Sequence, residues 1–388
     1  MLKPLLSKSR AFHFVLILGI VNLFSDMTYE GASSINGPFL QTLGASAAMI
    51  GAISGIGEFL GYSLRFIAGY ISDKTGKYWF MTFLGYAINL FAVPALALVN
   101  DWPAAACLIV AERVGRAIRK PTIEAMLSYT THLGKGWVYA VNTALDQIGA
   151  VVGPLLIALV LLLKEDYRTG YGLLLIPTLL ALATLTIARL YFPNPSSLEA
   201  GPTATLKGFT PSYWLYMAGA ACFAAGLVSF ELISYHFSTT ATVTAHWIPL
   251  FFAIAMATDA IASLIFGKLF DRIGIPVVLM AFLISSCFAP FIFLGNFSMA
   301  LVGMILWGIG FGAQDTLLKA LIASILPEGK RNLAFGLFYT GYGGGWLVGS
   351  VITGLLYAQS RYLLVAFSVT LQLVSLPFFI VAKKSQNS

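Results

Sequence analysis

Gly69-Tyr70-Ile71-Ser72-Asp73-Lys74-Thr75-Gly76-Lys77 is followed, 198 residues later, by Gly267-Lys268-Leu269-Phe270-Asp271-Arg272-Ile273-Gly274. Four positions agree at that single offset: Gly69 with Gly267, Asp73 with Asp271, Lys74 with Arg272, and Gly76 with Gly274. Each stretch separates two long apolar runs. A solvated turn with a few basic residues accounts for one such loop; it does not account for a second copy in register, which marks an internal repeat. A second pair agrees, since Gly149 and Gly153 match Gly345 and Gly349 at an offset of 196.

Outward from these loops the composition is that of a chain solvated by lipid. Of 388 residues, 58% are hydrophobic and 10% charged, where a soluble domain carries about 25% charged residues. Twenty-three basic and sixteen acidic residues cannot cover the surface of a water-soluble globule of this size. The 37 glycines, 29 phenylalanines, 17 tyrosines and 7 tryptophans suit closely packed helices with aromatic belts. The net charge of +7 is spread over short loops, so it reads as membrane topology and not as a nucleic-acid patch. Cys107, Cys222 and Cys287 lie inside apolar runs, are odd in number and lack metal-ligand spacing, so they read as packing.

Twelve apolar runs are long enough to cross a hydrocarbon core of about 30 Å. They cover 12–42, 44–72, 79–99, 103–129, 137–163, 170–190, 211–238, 244–267, 275–295, 298–326, 332–358 and 362–381. No period-2 alternation supports a barrel. The first run is too long for a leader core and is expected to remain as a span. Thirteen lysines and arginines fall on the side of the N-terminus, against Lys164, Arg168 and Arg361 on the other, which predicts that both termini are cytoplasmic. The polar stretch 193–210 reads as a linker. It separates a six-helix bundle over 1–192 from another over 211–388, two parallel repeats because an even number of spans preserves orientation.

The duplicated G-x-x-x-D-(K/R)-x-G loop resembles the signature loop of the major facilitator superfamily, and the resemblance covers the whole chain. It implies twelve transmembrane helices around a central cavity. It also implies a gating role for Gly69, Asp73, Lys74, Gly76, Gly267, Asp271, Arg272 and Gly274. In span 4, Glu112-Arg113-x-Gly115-Arg116-x-Ile118-Arg119-x-Pro121 is similar to a string found in one group of bacterial facilitators. Ala117 stands where the more familiar pattern places glycine four residues after the arginine. Gly149, Gly153 and Pro154 resemble the end of the antiporter motif of drug exporters, with Ile157 and Ala158 in place of its closing glycines.

Ionisable groups at bilayer depth are costly unless they face a partner or a cavity. Nine of the sixteen acids lie in spans 1, 2, 4, 5, 7, 8 and 10, and none in spans 3, 6, 9 and 12. This period of three agrees with the resembled fold, in which every third span lies against lipid. Asp26 and Glu30, four residues apart on one face of span 1, are the leading proton sites, because neighbouring carboxylates cannot both ionise cheaply. The alternative is that they are structural partners of arginines in spans 2 and 4. Gly31, Gly37 and Pro38 are placed to loosen the helix beyond them. Asp146 in span 5 is a third proton candidate, facing Arg113 or Arg116. Glu58, Arg65, Arg113, Arg116, Tyr29 and Glu231 are candidates to line a substrate cavity. Arg119 and Lys120, near the cytoplasmic end of span 4, are expected to snorkel or to meet Asp73. Asp315 and Lys319 are expected to neutralise each other, and His236 and His246 to be solvated.

These readings converge on a secondary transporter of the cytoplasmic (inner) membrane, moving a small organic solute by alternating access. Proton coupling and efflux of amphipathic compounds are expected, in a monomer surrounded by lipid, without cofactor, metal or nucleic acid. Proton-coupled uptake or exchange of an organic anion or siderophore-like metabolite is the alternative within this class. Outside it stand a lipid-modifying membrane enzyme, for which the sequence has no H-E-x-x-H or G-x-S-x-G signature, and a transport-dead sensor.

Overall fold

The computed structural model describes residues 2–128, 135–193, 210–325 and 331–387. The linker predicted over 193–210 falls almost wholly outside them. Every described element is helical. The first six spans are α1 (Leu2–Ser33) with α2 (Asn36–Thr42), α3 (Ala47–Thr75), α4 (Tyr78–Ala95) with a short 3-10 turn (Leu96–Leu98), α5 (Trp102–Ser128), α6 (Lys135–Lys164), and α7 (Tyr167–Leu173) with α8 (Leu175–Tyr191). The second six are α9 (Pro211–Gly226) with α10 (Phe230–Thr240), α11 (Trp247–Ile273), α12 (Ile275–Ser285) with α13 (Phe288–Phe293), α14 (Phe297–Ile325), α15 (Arg331–Gln359) and α16 (Arg361–Asn387). Ten of these rods are long and apolar enough to cross a membrane by composition alone. The two others, α5 and α15, have 27 and 29 residues, about 40 Å at the helical rise; α5 falls short because it carries the arginine-rich string.

The breaks in the rods have local causes. Proline has no N–H to give to the carbonyl four residues earlier. Pro38 and Pro290 each follow a break by that distance, at Ser34 and Ser286, and Pro177 lies four residues after Leu173, the last residue of α7, just before the break at Leu174. Pro94 frees the carbonyl of Leu90 in the same way, and the Thr178 hydroxyl of α8 donates to it at 3.2 Å. The break between α9 and α10 has no proline. There the Gly226 carbonyl accepts from Ser368 Oγ at 2.6 Å and Gln372 Nε2 at 3.2 Å, and the Val228 carbonyl accepts from Trp307 Nε1 at 2.9 Å. Side chains from neighbouring spans thus satisfy backbone groups that water cannot reach.

The repeat found in the sequence recurs in the packing. A methyl group on Gly149 or Gly153 would collide with the backbone of α1 at Leu23 and Met27. A methyl group on Gly345 or Gly349 would collide with α9 at Ala221 and Ala225. Span 5 therefore lies flush on span 1, and span 11 on span 7. Gly76 and Gly274 end their helices with φ of +64° and +67°, a left-handed conformation that favours glycine.

The chain packs as two compact units. One comprises Met1–Ala32 and Leu64–Pro202, the other Ser33–Ser63 and Thr203–Ser388. In the first, Phe14, Leu18, Tyr86, Ile123 and Leu185 join α1, α4, α5 and α8 in one hydrophobic core. In the second, the segment Ser33–Ser63 is built in by close backbone approach. Gly37 abuts the Glu231 carbonyl, Gly51 the Ser350 carbonyl, and Gly354 abuts Ala47 and Ala48. The boundary between units runs across α1 and α3, and so differs from the sequence halves 1–192 and 211–388.

Candidate functional site: a buried charge network in the first unit

Span 5 brings its small face against α1 beside Asp26, since a methyl group on Gly149 would sit 3.0 Å from Asp26 Cβ. Asp26 is 7% exposed. Its Oδ1 faces the Arg119 guanidinium at 3.5 Å, and its Oδ2 accepts from the Tyr29 hydroxyl at 3.3 Å. Arg119 is the hub. Its Nε donates to Asn89 Oδ1 at 3.2 Å, and one terminal nitrogen donates to the Tyr86 hydroxyl at 3.3 Å and Asn22 Oδ1 at 3.5 Å. Asn22 also accepts from Tyr86 at 2.5 Å and donates to Asn142 at 3.0 Å. Asn89 in turn donates to Glu112 Oε1 at 2.8 Å, and Glu112 pairs with Arg113 at 3.2 Å. One polar chain thus runs from Arg113 to Tyr29 and draws on α1, α4, α5 and α6.

Aromatic faces complete it. The Tyr29 ring lies within 5.1 Å of the Arg116 guanidinium and 5.7 Å of that of Arg119, and Tyr86 lies 4.7 Å from Arg119. Such contacts are strongest where the cation is desolvated. Glu30 is half-buried and interacts electrostatically with Arg116 and Arg113, as Asp146 does with Arg119. Four acids, Asp26, Glu30, Glu112 and Asp146, thus face four bases, Arg113, Arg116, Arg119 and Lys120. The set is formally neutral, and one added proton makes it cationic.

Of the sequence candidates, Asp26, Glu30, Tyr29, Arg113, Arg116 and Asp146 lie in this first unit. Glu58 and Arg65 are half-buried on α3. Glu231 belongs to the second unit, is 5% exposed, and accepts from Ser54 Oγ at 3.1 Å. Arg119 does not snorkel: at 2% exposure it pairs with Asp26. The reason is that helical side chains lean toward the N-terminus of their helix, which turns Arg119 back toward mid-depth. His236 is likewise not solvated but buried, with Nδ1 2.9 Å from the Tyr357 hydroxyl. In the duplicated loop, Lys74, Asp271 and Arg272 are exposed, and the Asp73 side chain lies outside the described residues. Gly69 faces Pro121 on α5 and Gly267 faces Thr316 on α14, equivalent approaches in the two repeats. The side chains of Asp315 and Lys319 also lie outside the described residues. Asn22, Tyr86 and Asn89 were absent from the sequence reading, although an asparagine deep in an apolar run is itself a signal. Among the described residues no group of three or more His, Cys, Asp or Glu converges as a metal site.

Comparison with known proteins gives a consistent result. The model of the Major Facilitator Superfamily matches residues 18–239 and 209–387. An uncharacterized protein of Mycobacterium tuberculosis is 34% identical, over 96% of this chain and 93% of its own length. An uncharacterized MFS-type transporter of Methanocaldococcus jannaschii is 27% identical, over 93% and 92%. Among solved structures, the peptide transporter POT in complex with sulfate superposes with a TM-score of 0.74 at 13% identity, covering 96% of this chain and 94% of that one. A bacterial homolog of the human lysosomal transporter Spinster gives 0.72 at 16% identity, covering 97% of both chains. These likenesses establish the fold.

Proposed function

The chain belongs to the major facilitator superfamily, an integral membrane protein with a transporter fold, and from that premise we propose that it carries a small organic solute by alternating access, driven by protons. The observation that carries the reading is the buried pair of Asp26 and Arg119 at 3.5 Å. Protonating Asp26 deprives the buried Arg119 cation of its nearest counter-charge and leaves the network with one excess positive charge, a state that is costly in a buried site unless the surroundings rearrange. Proton uptake and conformational change are thereby coupled. Glu30 and Asp146 are the supporting acids of the same set. In this reading the protein is a monomer of the cytoplasmic membrane with both termini in the cytoplasm, and amphipathic compounds are exported. The duplicated loop serves as the cytoplasmic gate.

A second reading, uptake or exchange of an organic anion, is favoured by one observation. Arg113, Arg116 and Arg119 all project from α5, and Arg116 and Arg119 both lie over the Tyr29 ring. A thermal-shift panel of organic cations against carboxylates separates the two, because a bound solute raises the melting temperature in proportion to its affinity. The stabilising solute is then followed in proteoliposomes. Glu30→Gln is expected to lower flux driven by a pH gradient at least tenfold at unchanged protein yield, and Asp26→Asn to do the same with a lower melting temperature, since it takes from Arg119 its nearest partner. Undiminished flux in both variants refutes the proton assignment.

A further inference from the structure

α15 carries Tyr339, Tyr342 and Trp346 within two turns, and the rings of the second unit gather on them. Tyr62 of α3 stacks on Tyr339 at 5.7 Å between centroids and meets Tyr342 edge to face at 5.2 Å. Tyr342 lies 6.1 Å from Trp346, which Phe311 of α14 meets edge to face at 6.4 Å. Phe311 in turn stacks on Trp307 at 5.0 Å. All six side chains are uncharged.

The polar atoms of this bank are not treated alike. The Tyr342 hydroxyl donates to Gln314 Oε1, and Trp307 Nε1 donates to the Val228 carbonyl. Trp346 Nε1, on a residue 4% exposed, has no hydrogen-bond partner among the described residues. One turn further along α15, Ser350 Oγ, on a residue 3% exposed, has none either. Residues four apart share a helix face, so both orphaned donors belong to one face of α15. A buried donor without an acceptor forfeits its hydration for nothing, and native proteins seldom keep one without a reason. Packing does not supply that reason, because phenylalanine and alanine would fill much the same space without the penalty.

We propose that this face of α15 is a ligand subsite for an uncharged planar aromatic group bearing a hydrogen-bond acceptor. The ring packs among Trp346, Phe311 and Tyr342, and the acceptor receives the Trp346 indole N–H and the Ser350 hydroxyl. The assignment rests on the carrier reading and names the chemical class of the solute's apolar part.

The test uses the full-length chain in lipid nanodiscs and equilibrium dialysis against coumarin, whose lactone oxygens are the acceptor, with empty nanodiscs subtracted. Saturable binding is expected, weakened five- to tenfold by Trp346→Phe and two- to fivefold by Ser350→Ala. Both variants should melt no lower than the parent, since each loses an unsatisfied donor. Naphthalene, with a similar ring area and no acceptor, should bind more weakly and be indifferent to Trp346→Phe. Absence of saturable coumarin binding, equal binding in the parent and both variants, or naphthalene binding as tightly as coumarin would each overturn the proposal. Binding is read here without flux. Failure of transport in proteoliposomes therefore counts against the carrier reading alone, and coumarin binding that ignores Trp346 counts against this subsite alone.

Discussion

Arg119 shows how much one side chain can hold in a chain with few charges. At 2% exposure it contacts Asp26, Asn22, Tyr86 and Asn89. Arg119→Ala would take from buried Asp26 its nearest counter-charge, a change that costs about 3–5 kcal/mol for buried pairs. A marked fall in the unfolding midpoint of the purified protein is expected, and substantial recovery when Asp26→Leu is combined with Arg119→Leu. Asp166 acts at the other extreme, outside the spans, where it caps α7. Its carboxylate accepts from the Thr169 hydroxyl at 2.6 Å and from the Thr169 and Arg168 amides at 2.9 and 3.2 Å. The Thr169 hydroxyl, followed by those amides, holds its carboxyl below the ordinary aspartate value of 3.8. A depressed folded-state pKa stabilises above the unfolded value and is lost as pH falls through the folded one. Asp166→Ala is expected to cost about 1 kcal/mol near neutrality, and the gap between parent and variant should close on acidification below that value, as followed by thermal melts across pH. The importance of Asp26 was legible in the sequence because charge is rare in apolar runs. The position of Arg119 was not, because sequence gives depth along a helix while the partner depends on the lean of the side chain and the rotation of its neighbours.

At the scale of the element, order was legible throughout and length in most cases: the twelve apolar runs became twelve rods whose ends mostly lie within about three residues of expectation, while α1 begins ten residues earlier, at Leu2, and α11 and α16 run six residues further, to Ile273 and Asn387. Periodicity does not register a break, so the interruptions were not foreseen apart from the one at Pro38. Proline alone does not decide a break, since Pro121, Pro154 and Pro377 lie inside continuous helices, and a carbonyl that proline frees needs a donor from a neighbour. Thr178 supplies it for Leu90. Thr178→Val is expected to leave that carbonyl unpaired at a cost of about 1–3 kcal/mol, visible as a lower melting temperature and faster amide exchange around Leu90 and Pro94. The glycine pairs make the complementary prediction. Gly153→Leu would push α6 off Met27, with a penalty of about 1–3 kcal/mol or more for overpacking. The same change at Gly344, where an added methyl group would meet nothing, should be tolerated in the same melting assay.

For the molecule as a whole, the repeat in sequence and the grouping in space are different partitions of one chain. The repeat halves are linear, yet Ser33–Ser63 packs with Thr203–Ser388, with Gly37, Gly51 and Gly55 pressed on α10 and α15. This was illegible beforehand, because backbone-to-backbone contact through glycine leaves no charge or periodicity to read. Fragments 1–200 and 201–388 expressed together are expected to co-purify, and the first expressed alone to aggregate, as size-exclusion chromatography in detergent would report. The feature also bears on inheritance. A recombination event that exchanged only the second half with a diverged relative would separate the 33–63 segment from the surface against which it was selected. Crossovers near 200 should therefore be under-represented among viable chimeras, compared with exchanges in which that short segment travels with its distant partner.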